Sequence, residues 1–251
     1  MFAPSAFFSF TEVPEPARHR AYNEWHQLEH RPENLRLPGV EWGERWVHSP
    51  DCAALAASPD PAFARLHYVN MYWFGEPVAT STAEWSALAE RSFHWGGRDD
   101  VHIANRLYMA FFRPIRGYVN ARVRVAADVL PFRPNRGVHL TVTRVDEPRS
   151  AAAEKLFGWY DRERIPAMLS CSGVAGAWTF ASDDTFASAL DLSGEAAPPS
   201  VRVVLSYLDD DPLEVTRSLD ALTPAPDPSV ETTLFSGPLR AIAPWEWDWF
   251  D

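Results

Sequence analysis

The chain has 251 residues, 46% hydrophobic and 23% charged, a globular composition that excludes disorder, collagen and coiled coil. Its formal net charge of −11 repels phosphate backbones and argues against nucleic acid and anionic membranes as partners. No apolar run reaches the roughly 18 residues of a membrane span, and Met1-Phe2-Ala3-Pro4 opens no signal peptide, so a cytoplasmic protein is expected.

In chain order, residues 6–11 predict a strand that is apolar on both faces, closed off by Pro14 and Pro16. Residues 17–35 predict an amphipathic helix ended by Leu37-Pro38-Gly39, and residues 40–47 a second strand. A loop over 48–64 leads to a strong β-branched and aromatic strand over 66–74. A helix over 82–93 and a strand over 107–113 complete the first half. After a linker over 120–135 the pattern returns, with strands over 138–145, 176–182, 201–208 and 231–235 and helices over 151–169 and 213–222. Residues 193–200 read as an exposed insertion.

The return is a duplication. Residues 6–46 align with 140–180 at a constant offset of 134. Glu24-Trp25-His26 lies over Gly158-Trp159-Tyr160, and Glu29-His30-Arg31-Pro32 over Glu163-Arg164-Ile165-Pro166. Gly39-Val40 lies over Gly173-Val174, and His67 over Arg202. Strands that are apolar on both faces need cover on both. Each half's helices supply one cover and the other half supplies the second. The expected fold is therefore α+β: two ferredoxin-like βαββαβ halves forming a pseudo-dimeric α+β barrel within one chain. The expected domains are 1–120, the linker 121–135, and 136–251 with its Trp-rich tail.

Trp25-His26-x-x-Glu29-His30-x-Pro32 followed by Pro38-Gly39 resembles the signature of the dimeric α+β barrel superfamily, including its EthD-like and antibiotic-biosynthesis-monooxygenase groups. Residues 5–11, 18–26 and 132–139 are most similar to the tandem oxygenases that open the B ring of angucyclinones in jadomycin, gilvocarcin and kinamycin-type pathways. That resemblance implies a polycyclic phenolic substrate, O2, and reduced flavin (FADH2 or FMNH2) delivered as a diffusible cosubstrate by a separate flavin reductase. It also implies Baeyer–Villiger-like ring cleavage. The superfamily hosts several activities, so a cofactor-free polyketide cyclase or isomerase and a non-catalytic binder of a hydrophobic metabolite stand as alternatives.

The residues narrow the place. Histidines 19, 26, 30, 48, 67, 94 and 102 lie in the first half and only His139 in the second. A proton-handling site is therefore expected within 1–120, with the second half as scaffold; two independent pockets, or none, is the alternative. His26 and His30 stand i, i+4 on one helix face, and imidazole suits acid–base work near neutrality. Either can take a phenolic proton, or one bonds the sheet while the other meets solvent. Glu29 faces away, and no third ligand accompanies the pair, so no metal is expected. His67 is a further catalytic candidate. Trp25, Trp46, Tyr72, Trp73, Trp85 and Phe93 belong to a surplus of rings (Trp 11, Phe 15, Tyr 7) that either sandwich a flat polycycle or fill the core. Arg45 can stabilise a phenolate or peroxide oxygen, or form a surface pair. His94-Trp95-Gly96-Gly97 either closes a pocket mouth or caps a helix. No glycine-rich nucleotide motif is present, and Cys52 and Cys171 form no ligand set. The tail Trp245–Trp249, alternating with acids, is expected to be extended, as an edge strand or a cover. Duplication supplies a barrel mate internally, so a monomer or a homodimer is compatible.

Overall fold

The computed structural model describes residues 2–94, 103–182, 201–224, 227 and 229–250. The first half runs β1 (Ser5–Glu12), α1 (His19–Trp25), a π turn (His26–His30), α2 (Arg31–Leu35), β2 (Val40–Val47), a short α3 (Pro50–Ala53), β3 (Tyr68–Phe74), α4 (Val78–His94) and β4 (Asn105–Val119). The second runs β5 (Gly137–Arg144), α5 (Ala151–Trp159), a π turn (Tyr160–Arg164), α6 (Ile165–Ser170), β6 (Val174–Ser182), β7 (Val201–Leu208), α7 (Pro212–Asp220) and β8 (Thr232–Ala241). The two π turns sit at the same 134-residue spacing as the sequence repeat. The expected insertion over 193–200, and Trp95 and His102, lie outside the described residues.

The eight strands are antiparallel and close in the order β1-β3-β2-β8-β5-β7-β6-β4. Each half contributes four consecutive places, β4-β1-β3-β2 and β8-β5-β7-β6, the ferredoxin-like order. Alternation along each strand sends one face inward. Phe8 and Phe10 of β1, Val69, Met71 and Trp73 of β3, Leu140 of β5, Trp178 and Phe180 of β6 and Leu205 of β7 meet in one buried cluster drawn from both halves. The opposite faces are covered by the helices, and that is where the polar residues go.

Two strands are longer than their patterns suggest. β4 extends past residue 113 to pair with β6 from Phe112↔Ser182 to Val119↔Gly176, and β8 extends to residue 241 beside β5. Each runs through a proline, Pro114 and Pro238, which reads as a strand end in sequence. Pairing also corrects the constant offset. Gly43↔Tyr72 and Ala177↔Ser206 keep the 134 spacing. Phe7, however, pairs with Tyr72 and His139 with Ser206, so β5 sits at a spacing of 132. By the same registers Tyr68, not His67, holds the place of Arg202.

The tail departs from an extended strand. Trp245 has φ 73° and is 70% exposed, Trp247 is buried, and Phe250 stacks on His19 at 4.0 Å. It turns back as a cover over the first half because the rings find apolar partners there.

The two seams of the barrel differ. β2 pairs with β8 only at Trp46↔Ala241 and Val47↔Arg240. Glu44 lies in the splayed part, on the inward side with Trp42 and Trp46, and accepts a hydrogen bond from Asn135 Nδ2 at 2.6 Å. Burial pushes its carboxyl up to about 7, and the Asn135 bond offsets part of that. The unfolded carboxyl ionises near 4.5 and the folded one only near 7, so stability falls as pH rises between them. Glu44→Gln is expected to add roughly 1–3 kcal/mol at about pH 8 and almost nothing at about pH 4, read by urea unfolding at both.

Candidate functional site

The outer face of β1, β2 and β3 carries an unusual amount of buried polarity. Arg45 is 3% exposed. Its Nε donates to Asn70 Oδ1 and its Nη2 to Asn23 Oδ1, both at 3.0 Å. The guanidinium lies over the rings of Tyr22 and Tyr68, at 5.3 and 5.6 Å. Nη1 has no hydrogen-bond partner, and no carboxylate pairs with Arg45 among the described residues. Burial lowers its pKa from the ordinary arginine value. A buried ion costs several kcal/mol in lost hydration, which two amide oxygens and two ring faces offset only in part.

The amides are held from behind. Asn23 Nδ2 donates to His19 O and Tyr68 Oη, both at 2.9 Å, which aims its oxygen at Arg45. Asn70 Nδ2 donates to Tyr22 Oη and Thr11 Oγ1, both at 3.3 Å. Asn34 donates to His30 O at 2.7 Å and His30 Nε2 at 3.3 Å, and accepts from Trp85 Nε1 at 2.7 Å. Gly43 makes room for this layer, since a Cβ there would stand 2.5 Å from the Tyr72 ring.

The π turn sets the histidines against this layer. His26 and His30 meet edge to face at 4.8 Å, and Trp25 stacks on His30 at 4.7 Å. Both imidazoles are buried. His26 Nδ1 has no hydrogen-bond partner. Burial, then the positive field of Arg45, then His30, hold His26 well below the ordinary histidine range, so it stays neutral near pH 7. A neutral imidazole beside an uncompensated guanidinium can accept a proton from a weak acid and then stabilise the anion left behind.

The structure thus brings His26, His30, Arg45, Trp25, Tyr72 and Trp85 together. It separates the others. Trp46 and Trp73 point into the barrel and are core, with Trp73 against Trp178 and Phe180. His67 lies at the barrel rim, where its Nδ1 accepts from Val13 N–H at 3.0 Å and its ring meets His19 and Phe250. His94 ends α4 in an exposed position. Sequence reasoning missed the asparagines. Their signal was there: Asn23, His26, His30 and Asn34 form a polar stripe at helical spacing, where asparagine is otherwise disfavoured.

Two clefts lie beneath the second half's helices. One of 310 Å³ is lined by His139, Trp159, Tyr160, Arg164, Met168 and Glu231 among others. A smaller one of 140 Å³ adjoins it at Tyr160, Val204 and Glu231. A third cleft, of 740 Å³, is lined by Asp209, Asp210, Asp211 and Glu246 with Arg136 and Arg240. No group of metal-ligating side chains occurs among the described residues, and no described helix is long and apolar enough to cross a membrane.

No protein family and no curated protein matches the sequence. Solved structures do match across nearly the whole chain. An encapsulated DyP-type peroxidase from Mycobacterium smegmatis is 11% identical, covering 99% of this chain and 95% of its own, at a TM-score of 0.55. A chlorite dismutase from Candidatus Nitrospira defluvii is 9% identical, with 95% and 92% covered, at 0.52. An anthrone oxidase-like protein is 8% identical, with 95% and 91% covered, at 0.51. At such identities the likeness is one of fold.

Replacing Arg45 by methionine removes the positive field on His26. Arg45→Met is expected to raise the His26 pKa, seen in the imidazole resonances by NMR, while thermal stability changes by no more than about 2 kcal/mol, because an unpaired buried ion is lost with the hydrogen bonds.

Proposed function

We propose that this chain is an oxidoreductase of the oxygenase type, acting on a polycyclic aromatic phenol of the angucyclinone kind, with His26 and Arg45 at the centre of its chemistry. The observation that carries the reading is the buried Arg45 guanidinium, which has two neutral amide acceptors, a free Nη1 and no carboxylate partner among the described residues. Such a group is completed by an anion. A phenolate or an enolate, formed when neutral His26 takes the proton, is an anion of the right size and charge. The names borne by the similar folds, peroxidase, chlorite dismutase and anthrone oxidase-like protein, support an oxidoreductase in general terms.

In this mechanism His26 removes the phenolic proton, and Arg45 holds the resulting oxyanion while the electron-rich ring is oxidised. His30 supports His26 from the other end of the π turn, edge to face at 4.8 Å. Ring opening of the Baeyer–Villiger type inserts one oxygen atom of O2 into a carbon–carbon bond. The second atom leaves as water, with two electrons from reduced flavin. Reduced flavin enters only as a diffusible reductant, delivered by a separate reductase.

His26→Ala is expected to lower kcat/KM by roughly 10²–10⁴-fold, and Arg45→Met by roughly 10²–10³-fold. A bound phenol should show its phenolate absorbance in the wild type and lose it in Arg45→Met. The assay uses an angucyclinone with a flavin reductase, in air and under strict anoxia. Turnover that persists without O2 would transfer the site to the cyclase or isomerase reading, and a bound ligand released unchanged under every condition would make the chain a binder.

A further inference from the structure

The second half was expected to serve as scaffold, yet its helix–sheet layer holds two adjoining clefts. Strand registers explain why. At the places of Arg45, Asn70 and Tyr72 in the first half stand Thr179, Val204 and Ser206. His139 occupies the place of Phe7, whose ring in the first half is packed by Trp85 and Phe111. The covering helix is shorter as well: α7 has 9 residues where α4 has 17. Volume removed from the sheet and from its cover becomes the adjoining clefts of 310 and 140 Å³.

What lines that space is a recognition chemistry. His139 is 3% exposed, and neither of its ring nitrogens has a hydrogen-bond partner. Directly across the strand, the buried Ser206 hydroxyl has none either. Such groups are costly to bury unpaired, and a ligand oxygen or hydroxyl satisfies them. Arg164 lines the larger cleft, and its charge, with burial, holds His139 neutral, down to about 4. Arg202 lines the smaller cleft, over the Phe157 ring at 4.1 Å. The acids there are Glu231, hydrogen-bonded to Tyr160 Oη at 2.9 Å and raised by burial, and Asp161, held by Tyr118 and Arg116. The remaining walls include Trp159, Phe157 and Met168. A cavity of about 150 Å³ is known to admit benzene, so this space suits a fused pair of rings.

We propose that the gap beneath α5 and α6 is a second small-molecule site, distinct from the His26–Arg45 layer, that binds a planar aromatic acid of about two fused rings. Its carboxylate or phenolate oxygen faces Arg164, and a hydrogen-bonding edge faces His139. The first half's π turn carries the reaction; the second half's equivalent carries a binding pocket.

The chain's methionines report the two halves separately. Met168 lines the pocket, Met109 packs on the outer face of the first half, and Met71 lies inside the barrel. With methyl-13C methionine in the full chain, titration with 2-naphthoate is expected to shift Met168 progressively to saturation, with Met71 and Met109 unmoved. Ser206→Tyr, which restores the residue of the first half, should weaken that binding by at least about tenfold, and 2-naphthylmethanol, which lacks the charge, should bind more weakly than 2-naphthoate. His139→Phe serves as the second filling variant, and unfolding curves establish that each is folded. Arg45→Met should leave the Met168 titration intact even where catalysis is lost, so failure of the catalytic reading and failure of this one are distinguishable. No shift of Met168 at millimolar 2-naphthoate, or an equal shift in both filling variants, would overturn the proposal.

Discussion

The pleat of a closed sheet governs this molecule. Once eight strands close on one another, every inward residue is committed to a single shared core and every outward residue to a helix. The inward set is almost wholly apolar, and it is built jointly: Phe8 of β1 touches Phe180 of β6, and Trp73 of β3 touches Trp178. Neither half can bury that face alone. The polar residues that remain have only the outer layer to occupy, and there they sit out of water beneath a helix.

That layer is where the two halves part. In the first, large polar side chains fill the gap and hold one another, with asparagine amides fixed by backbone and tyrosine oxygens so that their carbonyls converge on Arg45. The energetic character is a buried guanidinium with no carboxylate partner among the described residues, a costly arrangement that makes sense when an anion forms beside it during reaction. In the second half the same framework, π turn included, holds smaller side chains and leaves room. One duplicated scaffold thus yields a preorganised charged layer and a receptive pocket, and the difference rests on a few positions of three strands and the length of one helix.

How much of this was legible varied with the range of the interaction. The order of helices and strands, and the facing of Tyr72 and Trp73 to opposite sides of β3, follow from local periodicity, and they hold. The pairing of His26 with His30 was legible from their helical spacing, whereas the approach of Arg45 to them was not, because it joins a helix to a strand. His67 was misplaced because a strand's alternation does not extend to the residue before it, whose position is set by Val13 and by the tail's Phe250. Trp46 and Trp73 looked like pocket rings because a ring inside a barrel and a ring beneath a helix have the same sequence signature. β4 and β8 run beyond the spans expected from their patterns because the pairing with β6 and β5 carries them through Pro114 and Pro238.

By itself the sequence determined the duplication, the elements and the sidedness of each strand, because a period of two or of 3.6 is written between near neighbours. Only the tertiary structure decided that β5 is displaced by two residues against its counterpart, so that His139 takes the place of a phenylalanine. It alone decided, too, that clefts open beneath the second half's helices. Both depend on which backbone hydrogen bonds pair distant strands and on the summed volume of side chains that converge from separate segments.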